Sequence, residues 1–278
     1  MSLGRMKKDK FKDTELQNCN VKKENLQVLI STQNLQNDEQ VNKLLKDMNV
    51  TSNYLIINQT TNHKCNIKNS KVITKFEKGL SKSRNIAIKE ADEDIVLLAD
   101  DDLSYTKNYR EIILQAYKKY KNADIICFYV ESINEKRKIK KMLTSNIGFI
   151  KAMKIASSEI SFKRKTIIDN NISFNEKFGA GTVLNRGEEQ IFLYEALKKK
   201  LNIIFVNKKI ATVKQEESSW FNKFDEDFFV IQGKIFRELS SKFYFVLCLQ
   251  YVVRKYFLYR ENISFFKALK CILKDSED

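Results

Sequence analysis

Three adjacent aspartates, Asp100, Asp101 and Asp102, follow the wholly apolar segment 95–99. Neighbouring carboxylates repel one another, so such a cluster is costly unless a cation neutralises it. Hard divalent ions such as Mg²⁺ or Mn²⁺ bind carboxylate oxygens and leave coordination positions for substrate phosphates. A solvated acidic turn is the alternative, but an apolar strand before the cluster places it at the carboxyl edge of a sheet. The pattern therefore favours a metal site.

A second candidate group is the segment 78–85, whose sequence is KGLSKSRN. A glycine, small hydroxyls and cationic side chains that lead into a helix suit an anionic ligand such as a diphosphate. Taken alone the segment is weakly informative, because Gly-x-Ser also begins many ordinary helices.

A third candidate is the carboxylate pair Glu188 and Glu189, which follows Gly187 and a glycine-containing loop at 174–185. A carboxylate there could act as general base towards a hydroxyl nucleophile. The alternative is structural, since glutamates in a first helical turn are stabilised by the backbone dipole without any catalytic role.

These groups require a scaffold, and the apolar periodicity predicts strands alternating with amphipathic helices. Such alternation indicates an α/β fold with a mostly parallel sheet, whose ligands bind at the carboxyl ends of the strands. The predicted strands are 27–32, 54–58, 71–76, 94–99, 124–130, 157–162, 203–206 and 210–213, and the predicted helices are 41–48, 81–91, 109–120 and 189–201.

The domain organisation predicted from the sequence has three parts. Residues 1–25 form a charged lead, residues 26–215 a catalytic domain, and residues 216–278 an amphipathic helical appendage. The last part is rich in Phe and Tyr interleaved with Lys and Arg, a mixture that suits a helix at a membrane interface as well as one packed on the catalytic domain.

Composition excludes several classes of site. The chain of 278 residues has one histidine, seven glycines and five scattered cysteines, so a histidine metal centre, a glycine-rich phosphate loop and a disulfide framework are not expected. The polar N-terminus lacks the apolar core of a secretory signal, and no apolar run is long enough to span a membrane. We therefore expect a cytoplasmic protein, with a peripheral position at the inner face of the cell membrane as an extension of that expectation.

Four motifs in register resemble the family-2 glycosyltransferases of the GT-A fold: GLSKSRN at 79–85, ADDD at 99–102, FNEKFGAG at 174–181 and GEE at 187–189. The resemblance covers roughly residues 26–215. It implies a Rossmann-like sheet flanked by helices. It also implies metal-dependent hexosyl transfer, with inversion, from a nucleotide diphosphate sugar, UDP-sugar being favoured, to a hydroxyl of a polysaccharide or lipid-linked glycan.

The resemblance also implies roles for individual residues. Glu189, with Glu188 as the runner-up, occupies the position of the catalytic base. Asp102 would hold Mg²⁺ or Mn²⁺, with Asp100 and Gln215 as further oxygen ligands. The residues implied in nucleotide-sugar binding are Ser31, Thr32, Asn58, Lys78, Arg84, Asn85, Asp100 and Asp101.

The sequence departs from the family pattern at three points. Asn58-Gln59-Thr60 replaces the usual acidic residue before a Gly-Ser or Gly-Thr turn, Asn175 replaces an aspartate, and no histidine follows the late strands. The last departure is why Gln215, or Glu216, is considered as a metal ligand.

The formal net charge of +15 leaves alternatives open. It could be solvated surface, it could attract a diphosphate donor, or it could hold the protein near anionic lipids. A basic nucleic-acid-binding protein is the competing hypothesis, but acidic clusters at the presumed ligand-binding edges argue against nucleic acid. A third hypothesis is a GT-A-like protein that binds nucleotide sugar without turnover.

Overall fold

The computed structural model describes residues 25–132, 142–214 and 223–274. Within these ranges one sheet runs in the order β3-β2-β1-β4-β8-β6-β9-β5, with β7 paired to β9. The strands are β1 (Leu26–Gln33), β2 (Asn53–Gln59), β3 (Val72–Lys75), β4 (Ile95–Asp100), β5 (Leu103–Tyr105), β6 (Ile125–Ser132), β7 (Ser145–Asn146), β8 (Ile160–Lys163) and β9 (Ile203–Val213).

Helices cover both faces of this sheet. They are α1 (Asp38–Asp47), α2 (Leu80–Glu90), α3 (Tyr109–Lys119), α4 (Phe149–Ala152), α5 (Arg164–Asp169), α6 (Glu188–Lys198), α7 (Glu226–Leu239), α8 (Tyr244–Tyr259) and α9 (Phe265–Leu273). The architecture is the α/β fold expected from the sequence, with helices following the sheet at the C-terminal end of the chain.

The first half of the sheet is parallel and the second half is mixed. β3, β2, β1 and β4 are parallel neighbours, whereas β8 runs antiparallel to both β4 and β6. The register aligns Ser31 of β1 with Asp100 of β4, and Thr32 with Asn58 of β2. The polar residues predicted at strand ends therefore meet at one edge of the sheet.

The apolar strands divide their side chains between two layers of core. Along β4, Val96 and Leu98 pack with α2 and α6, whereas Leu97 and Ala99 pack on the opposite side with α1 and α3. Burial on both faces explains why the central strands are apolar throughout.

Two predicted strands, 203–206 and 210–213, are one continuous strand, β9. Its pairing with β6 shifts register around Tyr129: Val206 pairs with Phe128, and Lys209 pairs with the next residue, Tyr129. The two residues of β9 between them, 207 and 208, therefore form a bulge. The prediction of 157–162 as a strand is only half right, because Ser157–Glu159 forms a 3₁₀ turn before β8.

The three C-terminal helices pack tightly on one another. A Cβ built on Gly233 of α7 would lie 1.9 Å from the carbonyl oxygen of Ile272 in α9, so only glycine permits this approach. Helix α7 in turn packs against α6. No helix within the described ranges is long and apolar enough to cross a membrane.

Candidate active site

A single cavity of about 1430 Å³ contains most of the predicted site residues. It opens where the carboxyl ends of β1 and β4 meet the start of α6, as expected for ligand sites in α/β sheets. The predicted residues that line it are Ser31, Thr32, Arg84, Asp100, Asp101, Asp102, Glu188 and Glu189.

Arg84 lies at the centre of the charged residues. Its guanidinium is 2% exposed and donates from Nη2 to Asp100 Oδ1 and from Nη1 to Glu188 Oε1, each at 2.9 Å. Burial alone would lower the pKa of Arg84, but the negative charges of Asp100, Glu188 and Glu189 more than offset it and raise the pKa. Arg84 therefore joins the aspartate cluster to the glutamate pair, two segments that are far apart in the sequence.

Hydroxyl groups fix the other edges of the acidic cluster. Thr32 Oγ1 donates to Asp101 Oδ2 at 2.6 Å, and Ser157 Oγ donates to Asp100 Oδ2 at 3.3 Å. Ser31 is held from behind, because Ser83 Oγ donates to Ser31 Oγ at 2.8 Å. Asp100 and Asp101 are thus oriented by side chains from three different elements.

Asp102 has the environment of a cation ligand. Partial burial, followed by the charges of Asp100 and Asp101, raises its pKa to about 6. No group of three His, Cys, Asp or Glu side chains in the described part of the chain could hold a metal ion by itself. One or two carboxylates together with substrate phosphates are nevertheless a common Mg²⁺ environment, so these donors fit Mg²⁺ or Mn²⁺. Gln215 lies outside the described residues.

The glutamate pair begins helix α6. Both glutamates line the cavity, but Glu188 is only 6% exposed and its Oε1 is held by Arg84. Burial, and then the charge of Glu188, raises the pKa of Glu189 to about 8. A carboxylate with so high a pKa is a stronger base than an ordinary glutamate, and the proton it accepts can come from a group bound in the cavity.

Glycines set the direction of this helix start. Gly187 precedes α6 with φ +92°, and a Cβ there would lie 2.6 Å from Ile235 Cδ1 of α7. Gly179 has φ +107°, and its built Cβ would be 3.2 Å from the Glu188 carboxyl carbon. Both positions therefore favour glycine for backbone conformation, and Gly187 also for space.

Three of the predicted nucleotide contacts do not line the cavity: Asn58, Lys78 and Asn85. The fully buried Asn58 amide exchanges two 3.0 Å hydrogen bonds with the backbone of Leu35, and Asn85 likewise pairs with the backbone of Phe174. Lys78 is exposed. The two amides thus stabilise the loops around the site, and nucleotide contacts by these three residues stay predictions.

The cavity also has walls that the motifs did not identify. Helices α7 and α8 contribute one side of it through Phe228, Gln232, Ile235, Leu247, Gln250, Tyr251, Arg254 and Lys255. The spacing of apolar residues in this segment predicted helices. It did not predict that one face of those helices would line the cavity.

Glu159 is a further buried carboxyl in the cavity wall, 6% exposed, that the sequence did not single out. Burial raises its pKa to about 7, although the backbone N–H groups of Ala156 and Val130 partly offset the shift. Its Oε2 accepts from Ala156 N at 2.9 Å, which fixes the turn that carries Ser157 towards Asp100.

Residues 55–183 match the sequence profile of the family described as "Glycosyl transferase family 2". The resemblance to the family-2 glycosyltransferases is confirmed. The matched segment contains the GLSKSRN, ADDD and FNEKFGAG motifs of this chain. It ends before the glutamate pair. No curated protein matches the chain significantly.

Solved structures share the fold of most of the chain. The crystal structure of S. aureus TarS 1-349 is 16% identical, with a TM-score of 0.56 over 86% of this chain and 73% of that one. The structure of S. aureus TarS 1-349 in complex with UDP-GlcNAc gives 18% identity and a TM-score of 0.57, over 86% and 74%. At such identities the likeness shows the fold, which is the GT-A-type fold expected from the sequence.

Proposed function

We propose that this protein is an inverting glycosyltransferase that moves a sugar from a nucleotide diphosphate sugar to an acceptor hydroxyl. The observation that carries the proposal is the single cavity in which Arg84 joins the aspartate cluster to the glutamate pair at the start of α6. A UDP-sugar is the favoured donor, because S. aureus TarS 1-349, which shares the fold, was solved in complex with UDP-GlcNAc. The acceptor is a polysaccharide or a lipid-linked glycan.

In this proposal the sheet edge binds the donor. Ser31 and Thr32 lie at the end of β1 beside the nucleotide, and Asp100 and Asp101 accept hydrogen bonds from ribose or sugar hydroxyls. Asp102 would hold Mg²⁺ or Mn²⁺, which when bound supplies positive charge against the diphosphate as it leaves. The hydrogen bond from Thr32 keeps one oxygen of Asp101 in place and leaves the other for substrate.

Glu189 is the proposed base. It accepts the proton of the acceptor hydroxyl as the acceptor oxygen attacks the anomeric carbon, and a single displacement of the diphosphate inverts that carbon. Glu188 is poorly suited to the role, because its Oε1 accepts a hydrogen bond from the buried Arg84. Its contribution is to hold the start of α6 against the aspartate cluster.

Calorimetric titration with UDP-sugars, with and without Mn²⁺, tests the donor site, and release of UDP in the presence of acceptor tests the chemistry. Asp102→Asn should abolish the effect of Mn²⁺ on binding. Glu189→Gln should keep donor affinity but reduce transfer by at least about a hundredfold. Undiminished transfer by either variant would refute the role given to that residue. Binding without transfer or hydrolysis by the wild type would favour the non-catalytic alternative, and tight binding of RNA or DNA would favour the nucleic-acid alternative.

The outer face of α8 suggests where the protein works. Its exposed apolar side chains are Phe245, Val246, Leu249, Val253, Phe257 and Leu258, and cationic side chains lie beside them at Lys242 and Arg260. Anionic lipid is the surface that complements this mixture, at about 1 kcal/mol per well-placed cation. We therefore extend the proposal to peripheral attachment at the cytoplasmic face of the membrane by the appendage 216–278, with catalysis in the domain 26–215.

A further inference from the structure

The inner face of α8 is part of the cavity wall. The α8 residues that line the cavity are Leu247, Gln250, Tyr251, Arg254 and Lys255. Their spacing of i, i+3, i+4, i+7 and i+8 places them on one face of the helix. The helix therefore presents a continuous strip to the cavity, with an aromatic residue in the middle and two adjacent cations towards its C-terminal end.

Helix α8 reaches the cavity through the elements that carry the glutamate pair. It packs on α7, where the Tyr251 and Phe236 rings lie 5.6 Å apart. Helix α7 in turn supports the start of α6: Ile235 fills the space beside Gly187, and the Arg186 guanidinium lies 4.0 Å from the centre of the Phe228 ring. The donor elements β1 and β4 reach the same cavity through the sheet. Helix α8 thus extends the base side of the site.

Arg254 and Lys255 supply the positive charge of this strip. In the part of the chain that the structure describes, neither Arg254 nor Lys255 has a carboxylate within 4.0 Å. Burial, and then the charge of Arg254, lowers the pKa of Lys255. Arg254 is exposed and Lys255 is half-buried. Two adjacent cations repel each other, and a bound anion would relieve that repulsion.

We infer that Arg254 and Lys255 bind a phosphate group of the acceptor, so that the enzyme selects a phosphate-bearing acceptor over a neutral glycan. This inference rests on the glycosyltransferase function proposed above. Arg84 offsets only part of the negative charge of Asp100–Asp102 and Glu188–Glu189, and the remainder disfavours an anionic acceptor. Cations on the base side offset this repulsion. The arginine guanidinium can donate two parallel hydrogen bonds to phosphate oxygens, and the lysine ammonium adds a compact positive charge beside them.

The phosphate itself does not react. The acceptor oxygen forms a bond to the anomeric carbon, the bond from that carbon to the donor diphosphate breaks, and the acceptor proton passes to Glu189. The role of Arg254 and Lys255 is to position the acceptor, and removing them should change acceptor binding and leave donor binding intact. The phosphate could belong to a soluble glycan phosphate or to a lipid-linked carrier.

The test compares R254Q/K255Q with the matched control K118Q/K119Q, which removes the same charge from two adjacent exposed positions of α3 outside the cavity lining. Binding is measured in the presence of saturating UDP with three soluble probes: glycerol 3-phosphate, glycerol and glycerate. A fourth probe, a polyprenyl phosphate in neutral detergent micelles, represents the lipid source. UDP-sugar affinity is measured separately for each protein.

We expect the wild type and the control to bind glycerol 3-phosphate or the polyprenyl phosphate, and R254Q/K255Q to bind it about tenfold or more weakly. Whichever phosphate probe binds identifies the source. UDP-sugar affinity should stay within about twofold in all three proteins. Equal weakening by the control would overturn the inference, as would equal binding of glycerate, no binding of either phosphate by the wild type, or a loss of donor affinity in R254Q/K255Q. Failure of the wild type to bind any UDP-sugar would instead refute the proposed function.

Discussion

Replacement of Arg84 by methionine removes the charge that joins the two acidic segments but keeps an unbranched side chain of comparable length. The guanidinium is 2% exposed, and its partner Glu188 has a side chain only 7% exposed. The variant therefore leaves Glu188 buried without its positive partner. Removing one partner of a buried ion pair typically costs about 3–5 kcal/mol. The pair with Asp100 adds little, because that carboxylate is 35% exposed and about 1 kcal/mol or less is expected for such a contact.

Urea unfolding of wild type and Arg84→Met at pH 8 measures this cost directly. Native proteins typically unfold with a free energy of about 5–15 kcal/mol, so a loss of about 3–5 kcal/mol removes a large part of that stability. The cost should shrink near pH 5, because a glutamate without its cation has a raised pKa and becomes neutral there. Glu188→Gln is the matched control. It removes the other partner but leaves Arg84 paired to Asp100, so it should cost less than Arg84→Met.

Two results would refute this interpretation. One is an Arg84→Met protein that unfolds at the wild-type urea concentration at pH 8, which would mean that water already solvates Glu188. The other is a cost that does not change between pH 5 and pH 8, because that would assign the loss to packing against Phe174, 5.4 Å from the guanidinium carbon, instead of to charge.

Four further predictions follow from the site and the C-terminal helices. Transfer should increase as pH rises towards and through about 8, because Glu189 accepts a proton only when ionised, and donor binding should change less over that range. Gly187→Ala should cost about 1–3 kcal/mol and reduce transfer, since its Cβ displaces Ile235 and the start of α6. Glu159→Gln should gain stability relative to wild type between pH 5 and 8, by up to about 3 kcal/mol, because the wild-type carboxyl ionises more readily in the unfolded chain. Phe257→Glu should weaken co-sedimentation with vesicles that contain anionic lipid and leave transfer to a soluble acceptor unchanged.

Each of these predictions has an opposing result. A pH profile that is flat from 6 to 9 would remove Glu189 as the base. If Gly187→Ala has wild-type stability and activity, Ile235 of α7 must move aside at little cost, and the predicted clash is wrong. If the stability of wild type and of Glu159→Gln changes equally with pH in urea unfolding, the Glu159 carboxyl does not contribute to the pH dependence of stability. Unchanged vesicle binding by Phe257→Glu, or a protein that dimerises in solution through α8, would overturn the membrane assignment of that surface.

The sequence predicted the strands and helices of the α/β fold because their apolar residues repeat with the period of the element that buries them. It also predicted that Ser31, Thr32 and the aspartates would meet, since parallel strands end at one edge of a sheet. The bulge in β9 was not predicted, because the residues that form it lack the apolar repeat of a strand. A polar interruption such as Asn207–Lys209 has the composition of a turn, and only its pairing with β6 shows that the strand continues.

The roles of individual polar residues were harder to predict. Nucleotide contacts by Asn58 and Arg84 stay predictions. In the structure the Asn58 amide pairs with the backbone of Leu35, and the Arg84 guanidinium pairs with two carboxylates. An amide or a guanidinium can bind a nucleotide or pair with another group of the protein, and its chemistry alone does not decide between the two. The choice depends on which partners lie within hydrogen-bond distance, and those partners come from other parts of the chain.

The order of the elements, the edge of the sheet at which the aspartates lie and the resemblance to family-2 glycosyltransferases could thus be predicted without a structure, because each depends on residues close together in the chain. The folded structure was needed to show that Arg84 joins Asp100 to Glu188, and that Arg254 and Lys255 of α8 line the same cavity. Those contacts bring together residues many positions apart, and a charged side chain carries no local signal of its distant partner.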